Sequence, residues 1–427
     1  MRSLVLPALF GSLFVAACGQ GFALAQRSPD SSYIIGAPIR HKNLTIFPVL
    51  SKVEQKVDRY ITLDEGLRAG TVQVIEVGST PAEDSQAAPA TQQGQAVQPP
   101  GNGPAHQADI VQAPPQQSNA RTQRAQVNFR PPQNAGNQVN QLMVVNKSGK
   151  PLYLMPGEVI VGGSQDRTIG NEMTIAPTGK PVPIDVFCVE HGRWRARDND
   201  ESASLYVALE ASPADAQRIA DADKQGRFGF TAAPLGKAGR VAVQSDKSQQ
   251  AVWDNVSKNN EALRVESESG TFTRSYADKR VQSELEPYVA GLTAKVSGQS
   301  RVVGAIVAIN GKIESLDVFE STPLFRKLWP KLLKSYALDA VSTVDAAKPA
   351  DKHAKNAKVA KVHPPANEST VADASTFLNK VLQGTVRDKE TKSGLVITHR
   401  ETDGAKSYSA GGMGGGGGAI HAAGFAP

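Results

Sequence analysis

Short runs of branched apolar residues, separated by turn residues, dominate the first half of the chain. Three of them lie at 44–50 (LTIFPVL), 71–77 (TVQVIEV) and 140–145 (NQLMVV). Residues 151–190 continue with further short apolar runs between glycines and prolines. Branched side chains suit a pleated sheet and turn residues end each run, so the pattern predicts a series of short strands.

Apolar residues return at helical spacing between and after these strands. The segment ITLDEGLRAG predicts a short helix, with Thr62 as N-cap, Glu65 three residues later and Gly70 at its end. The same reasoning predicts helices near 211–222, 246–264, 274–294, 321–341 and 371–383. Between them, RVVGAIVAINGKIESLDVF predicts a hairpin, because Asn310-Gly311 favours a type I′ turn. We therefore expect an α+β fold of mostly antiparallel sheets of short strands with several packed helices.

Two blocks interrupt this pattern. Residues 78–138 are rich in Gln, Pro and Ala and hold almost no large apolar side chain, while 344–369 form a Lys-rich linker. Neither block can bury enough apolar surface to offset the entropy of ordering, so both are predicted to be disordered insertions. We expect a flexible segment at 26–40 and a single composite domain built from 41–77, 139–343 and 370–427.

The N-terminus predicts export. Arg2, an apolar run and the small-x-small sequence Ala23-Leu24-Ala25 are typical of a signal peptide over residues 1–25. Alternatively, VAAC at 15–18 resembles a lipobox, in which Cys18 would carry a lipid anchor. The mature protein would then be periplasmic or secreted in the first case and held at a membrane surface in the second. We expect contact with a membrane only through the signal or this anchor.

Charge and metal-binding residues narrow the range of functions. The formal net charge is +6 with 47 basic and 41 acidic residues, which gives no basic stripe for nucleic acid, so no nucleic-acid partner is expected. The seven His are scattered and there are two Cys, Cys18 and Cys188, so the sequence predicts no metal site and no internal disulfide. No motif calls for a cofactor.

Four segments suggest a known family. GEVIVGGSQDR, CVEHGRW, GAIVAINGKIESLDVF and LFRKLWPKLLKSYALDA together resemble the bacterial family named for its association with ADP-ribosylglycohydrolase and rhodanese-phosphatase-superfamily proteins. The resemblance covers roughly 40–77 and 139–343 and resumes at 370. Family membership implies no settled mechanism. His191 departs from the family pattern, which weakens any catalytic role for it.

Charged and aromatic residues beside two turns form the main candidate site. They are Glu158, Gln165, Asp166, Arg167, Glu190, Arg193 and Trp194. Arginine can grip a carboxylate or phosphate and tryptophan can stack on a ring, so we expect these loops to bind a small anionic or nucleotide-derived ligand, or a protein partner. The alternative is that these charges pair with one another and brace the strands.

Catalysis remains open on the sequence alone. Cys188 with His191 could form a thiol dyad, but Cys188 shares a strand face with Ile184 and Val186, which favours a core position. A hydrolase acting on an anionic or ADP-ribose-type substrate would use Glu158 or Glu190 as general base. A third possibility is a structural envelope or adhesion protein that acts through its two low-complexity blocks.

Overall fold

The structure, a computed structural model, describes residues 32–77, 140–346, 368–392, 394–403, 405–412 and 419–427. The predictions for the signal peptide with Cys18, the insertion at 78–138 and most of the linker at 344–369 lie outside the described residues. No helix within these ranges is both long and apolar enough to cross a membrane.

The described segments alternate between strands and helices. The strands are β1 (Tyr33–Ile35), β2 (Ile39–His41), β3 (Leu44–Ser51), β4 (Ile61–Thr62), β5 (Val72–Glu76), β6 (Gln141–Asn146), β7 (Leu152–Leu154), β8 (Val159–Val161), β9 (Arg167–Ile169), β10 (Met173–Ile175), β11 (Pro181–Cys188), β12 (Arg227–Phe228), β13 (Phe230–Ala232), β14 (Val302–Ile309), β15 (Lys312–Phe319), β16 (Thr385–Lys392), β17 (Leu395–Thr402), β18 (Ala405–Gly412) and β19 (Ala419–Phe425). The helices are α1 (Leu63–Arg68), α2 (Asn199–Ala208), α3 (Pro213–Asp223), α4 (Lys237–Val241), α5 (Gln249–Ala262), α6 (Thr273–Ala277), α7 (Lys279–Ser297), α8 (Thr322–Ala346) and α9 (Val371–Gln383), with a π-helical turn at Ala242–Asp246. The α+β prediction is confirmed.

Strands from distant parts of the chain form the largest sheet. Its order is β1-β3-β14-β15-β19-β18-β17-β16, with β2 also paired to β3. The predicted hairpin lies at its centre, and both turn residues have positive φ, 51° at Asn310 and 79° at Gly311. Every residue of β14 is buried, because Ala305 and Val307 join the core that includes α8 while Ile306 and Ala308 join the core that includes α9.

A second sheet carries the segments that the sequence singled out. Its order is β12-β5-β6-β11-β9-β8-β13, and its neighbouring strands are antiparallel. Helix α1 leads into this region and has the predicted capping box, in which Thr62 and Glu65 bond reciprocally. A small third sheet, β10-β7-β4, contains the parallel pair β4–β7.

Three expectations about the elements need correction. The segment 26–40, expected to be flexible, contains β1 and most of β2, because Ile34, Ile35 and Ile39 pair along β3. Helix α8 runs to Ala346, into the block expected to be a linker. The helical pattern at 274–294 is two helices, since Asp278 ends α6 and caps α7.

A buried charged cluster joins the largest sheet to the small one. Asp317 in β15 accepts hydrogen bonds from Arg240 at 2.8 and 2.5 Å, and its Oδ1 lies 2.9 Å from His421 Nε2. On its other side, His421 Nδ1 lies 3.2 Å from Glu172 Oε2, and Tyr153 donates to Glu172 Oε1 at 2.7 Å. Burial alone would lower the pKa of His421, but the two carboxylates raise it to about 9. The imidazole is therefore protonated at neutral pH and links both acids.

Candidate functional site

The two turns predicted to share a site meet in the structure. Arg193 Nη2 lies 2.7 Å from Glu190 Oε2 and 3.3 Å from Asp166 Oδ1. Arg197, which the sequence analysis did not select, donates to both oxygens of Asp166 at 3.0 and 2.9 Å. These four side chains are at most 5% exposed. We call them the buried ion-pair cluster.

Hydroxyl groups from a third segment complete the bonding of this cluster. Thr271 and Thr273 donate to Asp166 Oδ2 at 2.7 and 2.8 Å, and Ser269 donates to Glu190 Oε1 at 2.5 Å. Burial would raise the pKa of Asp166, but the two neighbouring guanidiniums hold it well below its ordinary value. Asp166 therefore stays ionised, and both acids accept several hydrogen bonds within the interior.

A double-glycine turn holds the arginine in place. Gly162 and Gly163 have φ of +132° and +53°, and Arg193 Nη1 donates to the Gly163 carbonyl at 2.5 Å. A Cβ on Gly162 would lie 2.2 Å from Asp223 Oδ1. Glycine is therefore required here both by the backbone angle and by the lack of space.

This geometry does not support the predicted ligand-binding role of these residues. The guanidinium of Arg193 is occupied by acids and carbonyls, so in this conformation it offers no free fork to an anionic ligand. Trp194 is 40% exposed at the surface. The arrangement favours the alternative interpretation, in which the charges brace the strands and the loop at 269–273.

Cys188 lies beside this cluster and has core character. It is 2% exposed, on the same buried face as Ile184 and Val186. Arg167 Nη1 lies 3.0 Å from its sulfur and 2.5 Å from Gln165 Oε1. Burial raises the pKa of the thiol, although Arg167 opposes that rise.

The residue proposed as the thiol's partner lies elsewhere. His191 is exposed and packs edge-on against Trp253 at 4.5 Å between ring centroids. Among the described residues no hydrogen bond joins it to Cys188. The geometry gives no support to a thiol dyad.

Glu158 lies apart from the other predicted site residues and forms an ion pair with a lysine of α8. Its carboxylate is 1% exposed, and its Oε1 lies 2.7 Å from Lys331 Nζ of α8. Its Oε2 is buried and has no hydrogen-bond partner among the described residues. Lys331 also donates to Thr231 Oγ1 and lies 3.7 Å from Asp64 Oδ1. Burial raises the pKa of Glu158, and Lys331 partly offsets that rise.

Lys331 and Thr231 belong to the wall of an open cleft with a volume of about 590 Å³. We call it the α7–α8 cleft, since those helices form one side and α1, α3 and β13 the other. Its apolar lining is Leu67, Leu209, Ala211, Ile219, Phe230, Ala232, Ala233, Tyr276, Leu285, Val289, Ala290 and Pro330. Its charged lining is Asp64, Arg68, Glu210, Asp215, Arg218, Glu286, Lys331 and Lys334. An apolar cavity with a few convergent polar groups is the usual form of a ligand site.

The sequence analysis selected Glu158 as a candidate site residue but gave no indication of the α7–α8 cleft, which is lined by its partner Lys331. Lys331 sits on the polar side of a helix whose apolar stripe was recognised, and it is separated from Glu158 by 173 positions. The only available signal was a cluster of basic residues in LFRKLWPKLLK. Within the described residues, no group of three or more His, Cys, Asp or Glu is arranged to hold a metal ion.

Comparison with known proteins gives one match. The chain matches the family described as the ARG and Rhodanese-Phosphatase-superfamily-associated Protein domain (ARPP-1) over residues 32–89 and 120–425. Neither the curated proteins nor the solved structures that were compared contain a match to this chain. The family match spans the sheets, the buried ion-pair cluster and the α7–α8 cleft alike. The chain is therefore a member of the ARPP-1 family.

Proposed function

We propose that the protein is exported and binds a ligand in the α7–α8 cleft, either a small molecule or a segment of a protein partner. One observation carries the proposal: the buried carboxylate of Glu158, with one oxygen unpartnered, lies directly behind the lysine that lines the cleft. Buried carboxylates with raised pKa values concentrate at functional sites.

Two exposed ion pairs in the cleft could exchange one partner for a polar group of a ligand. Lys334 pairs with Glu210 and Arg218 with Asp215, and all four side chains are 30% to 65% exposed. Pairs of this kind contribute little to stability because water and salt screen them. A ligand carboxylate or amide could therefore replace either acid with little cost to the fold.

A thermal-shift screen of the mature protein tests ligand binding. The panel contains metabolites, including ADP-ribose and nucleotides, and short peptides. Ala290→Trp should abolish any shift, because Ala290 is exposed and lines the cleft, so the indole fills it. Ala294→Trp is the matched control, since it lies one turn further along α7, exposed and outside the cleft. A shift that survives Ala290→Trp would place the ligand elsewhere.

A hydrolase is the second candidate, favoured by the state of Glu158. A general base that works near neutral pH needs a carboxyl with a raised pKa, and burial supplies this at Glu158. Glu190 fits the role poorly, because both of its oxygens bond to Arg193 and Arg197. If the panel reveals turnover, Glu158→Gln should lower it about 100-fold or more. Glu286→Gln, in the same cleft but exposed, should not; equal losses in both variants would contradict this assignment.

Export and anchoring can be tested on the N-terminus. Mass spectrometry of the mature protein from cell fractions distinguishes a soluble form that begins after Ala25 from a lipidated form that begins at Cys18. If the protein is lipidated, Cys18→Ser should move it from the membrane fraction to the soluble fraction. If it is cleaved after Ala25, the same variant should not change its location. Deletion of 81–138 tests the adhesion alternative: loss of partner association with an intact cleft would favour that block over the cleft.

A further inference from the structure

Lys331 offers a hydrogen-bond donor to the α7–α8 cleft. An ammonium group has three N–H donors. Within the described part of the chain two of them are used, one by Glu158 Oε1 at 2.7 Å and one by Thr231 Oγ1. Asp64 Oδ1 lies 3.7 Å from the same nitrogen, which is beyond hydrogen-bond distance. Since the Lys331 side chain lines the cleft and is 15% exposed, its third donor is left for a ligand.

The charges around this donor cancel. Glu158 is ion-paired with Lys331, and Asp64 is ion-paired with Arg68 on the opposite wall. Two positive and two negative side chains therefore surround this end of the cleft. Arg68 is 66% exposed, so water screens its charge more than the charge of Asp64, at 33%, or of Glu158, at 1%. A negatively charged ligand group would consequently find no net attraction here.

Three kinds of ligand headgroup differ in how they fit this environment. A carboxylate accepts a hydrogen bond from Lys331 but brings a negative charge towards Glu158 and Asp64. An ammonium group has no acceptor to offer Lys331 and adds a positive charge beside it. The oxygen of an amide or a ketone accepts the hydrogen bond and introduces no charge that has to leave water. The uncharged oxygen therefore fits best.

The body of the ligand would meet apolar side chains. Leu67 of α1, Ile219 of α3 and Leu285 of α7 line the cleft from three helices, and none of them is more than 6% exposed. The exposed ion pairs of Lys334 and Arg218 belong to the outer part of the cleft. An alkyl chain among the three helices would leave water without covering these charged groups.

We propose that the α7–α8 cleft binds a small aliphatic molecule through an uncharged amide or ketone oxygen that accepts a hydrogen bond from Lys331. This inference rests on the proposed ligand-binding function and names its ligand class. The aliphatic part packs on the apolar walls. Glu158 determines the specificity, because it balances the charge of the lysine and so removes the advantage that an acid of the same length would have.

Calorimetry with the full mature chain tests the choice of headgroup. The probes are octanamide, octanoate and octylamine, which share one chain and are neutral, negative and positive at neutral pH. Octanamide should bind at least about tenfold more tightly than either charged probe. Decanamide should bind roughly tenfold more tightly than octanamide, because each additional buried CH2 contributes up to about fourfold.

A change of charge beside Lys331 gives the complementary test. Glu158→Gln removes the acid that balances the lysine and keeps the shape of the side chain. The affinity for octanoate should rise at least about tenfold, whereas the affinity for octanamide should change by less than about threefold. Glu284→Gln is the matched control and should alter neither affinity, since Glu284 pairs with Arg280 on α7 and lies outside the cleft lining. If Glu158→Gln does not fold, the three headgroups decide on the unaltered chain.

The outcomes separate this inference from the function on which it rests. Octanoate that binds the unaltered chain as tightly as octanamide overturns the inference, and so does octanamide binding that survives Ala290→Trp. An equal effect of Glu158→Gln and Glu284→Gln on octanoate overturns the role of Glu158. Failure of every aliphatic probe, alongside a compound of the screen whose shift Ala290→Trp abolishes, overturns the ligand class and leaves the ligand-binding function standing. Failure of all probes and all compounds overturns both.

Discussion

Arg193 illustrates how a residue type that suggests binding can serve the fold instead. Its guanidinium joins two acids and the carbonyl of Gly163, all within the protein interior. A buried ion pair adds little over a well-packed apolar replacement, but removal of one partner leaves the other charge uncompensated. The loss of one member of this cluster should therefore lower the free energy of unfolding by more than the intact ion pair contributes to it.

Arg193→Ala should lower the free energy of unfolding by about 3 to 5 kcal/mol, because Glu190 would remain buried without its main cation. Arg218→Ala is the control: within the described part of the chain Arg218 pairs only with an exposed acid on its own helix, so its removal should leave the unfolding free energy unchanged within error. Chemical denaturation of both variants gives the comparison. Equal stability of the two would show that the cluster contributes nothing to the fold.

Sequence reasoning selected three members of this cluster but could not assign their role. Asp166, Glu190 and Arg193 stand beside turn residues, and this local signal placed them together. Arg197 stands close to Arg193 in the same stretch but was not selected, and the hydroxyl groups at 269–273 come from a segment that no local pattern connects to these turns. Whether an arginine is open or occupied depends on those distant partners.

Helix α3 forms one wall of the cleft and is fixed at its C-terminal end by a buried acid. Asp223 accepts a hydrogen bond from Tyr206, and its Oδ1 has no partner among the described residues. Burial raises the pKa of Asp223 to about 7, and the bond from Tyr206 only partly opposes this rise. The acid is therefore close to half-protonated at neutral pH in the folded protein.

Asp223→Asn should make the protein more stable at pH 8. The unfolded carboxyl ionises near 3.8 and the folded one near 7, so between these values unfolding releases a proton and stability falls as the pH rises. The full penalty, about 4 kcal/mol, is present above pH 7 and disappears below pH 4. Unfolding free energies at several pH values measure it, and Asp221→Asn, exposed on the same helix, is the control. A gain that does not depend on pH would contradict this account.

At the scale of elements, the sequence revealed those with a strong local pattern. The capping box of α1, the Asn310-Gly311 hairpin and the apolar stripe of α8 follow directly from residue spacing. It missed α2, which lacks an apolar stripe, and β16, which is almost entirely exposed and rich in charged residues. An edge strand of this kind takes its conformation from β17, so its own sequence contains little strand signal.

The whole molecule depends on contacts between sheets that no single segment predicts. The largest sheet pairs β3 with β14 and β15 with β19, so it joins segments from the start, the middle and the end of the described chain. Long-range pairing of this kind has no local signature, so the strand order could not be inferred from the sequence. His421 is a buried link between two sheets through Asp317 and Glu172, and no neighbouring residue in the sequence indicates this role.

Removal of this link should destabilise the protein in a pH-dependent way. The folded pKa of His421, about 9, lies above its ordinary value of 6.5, so its contribution is complete below pH 6.5 and is lost as the pH rises through 9. His421→Gln should therefore cost roughly 3 kcal/mol at pH 6 and clearly less at pH 10. Denaturation at both pH values gives the difference, with His399→Gln, in a partly buried pair with Glu390, as the control. A constant cost would show that His421 acts only through packing.

The way in which β5 and β6 pair has a practical consequence. Glu76 at the end of β5 is opposite Leu142 at the start of β6, so the chain leaves and re-enters this sheet at adjacent positions. The segment that joins β5 to β6 can therefore be replaced by one of another length, because the entropic cost of closing a loop grows only slowly with its length. A fluorescent reporter or an epitope grafted between these two strands would be displayed without altering the register of the sheet.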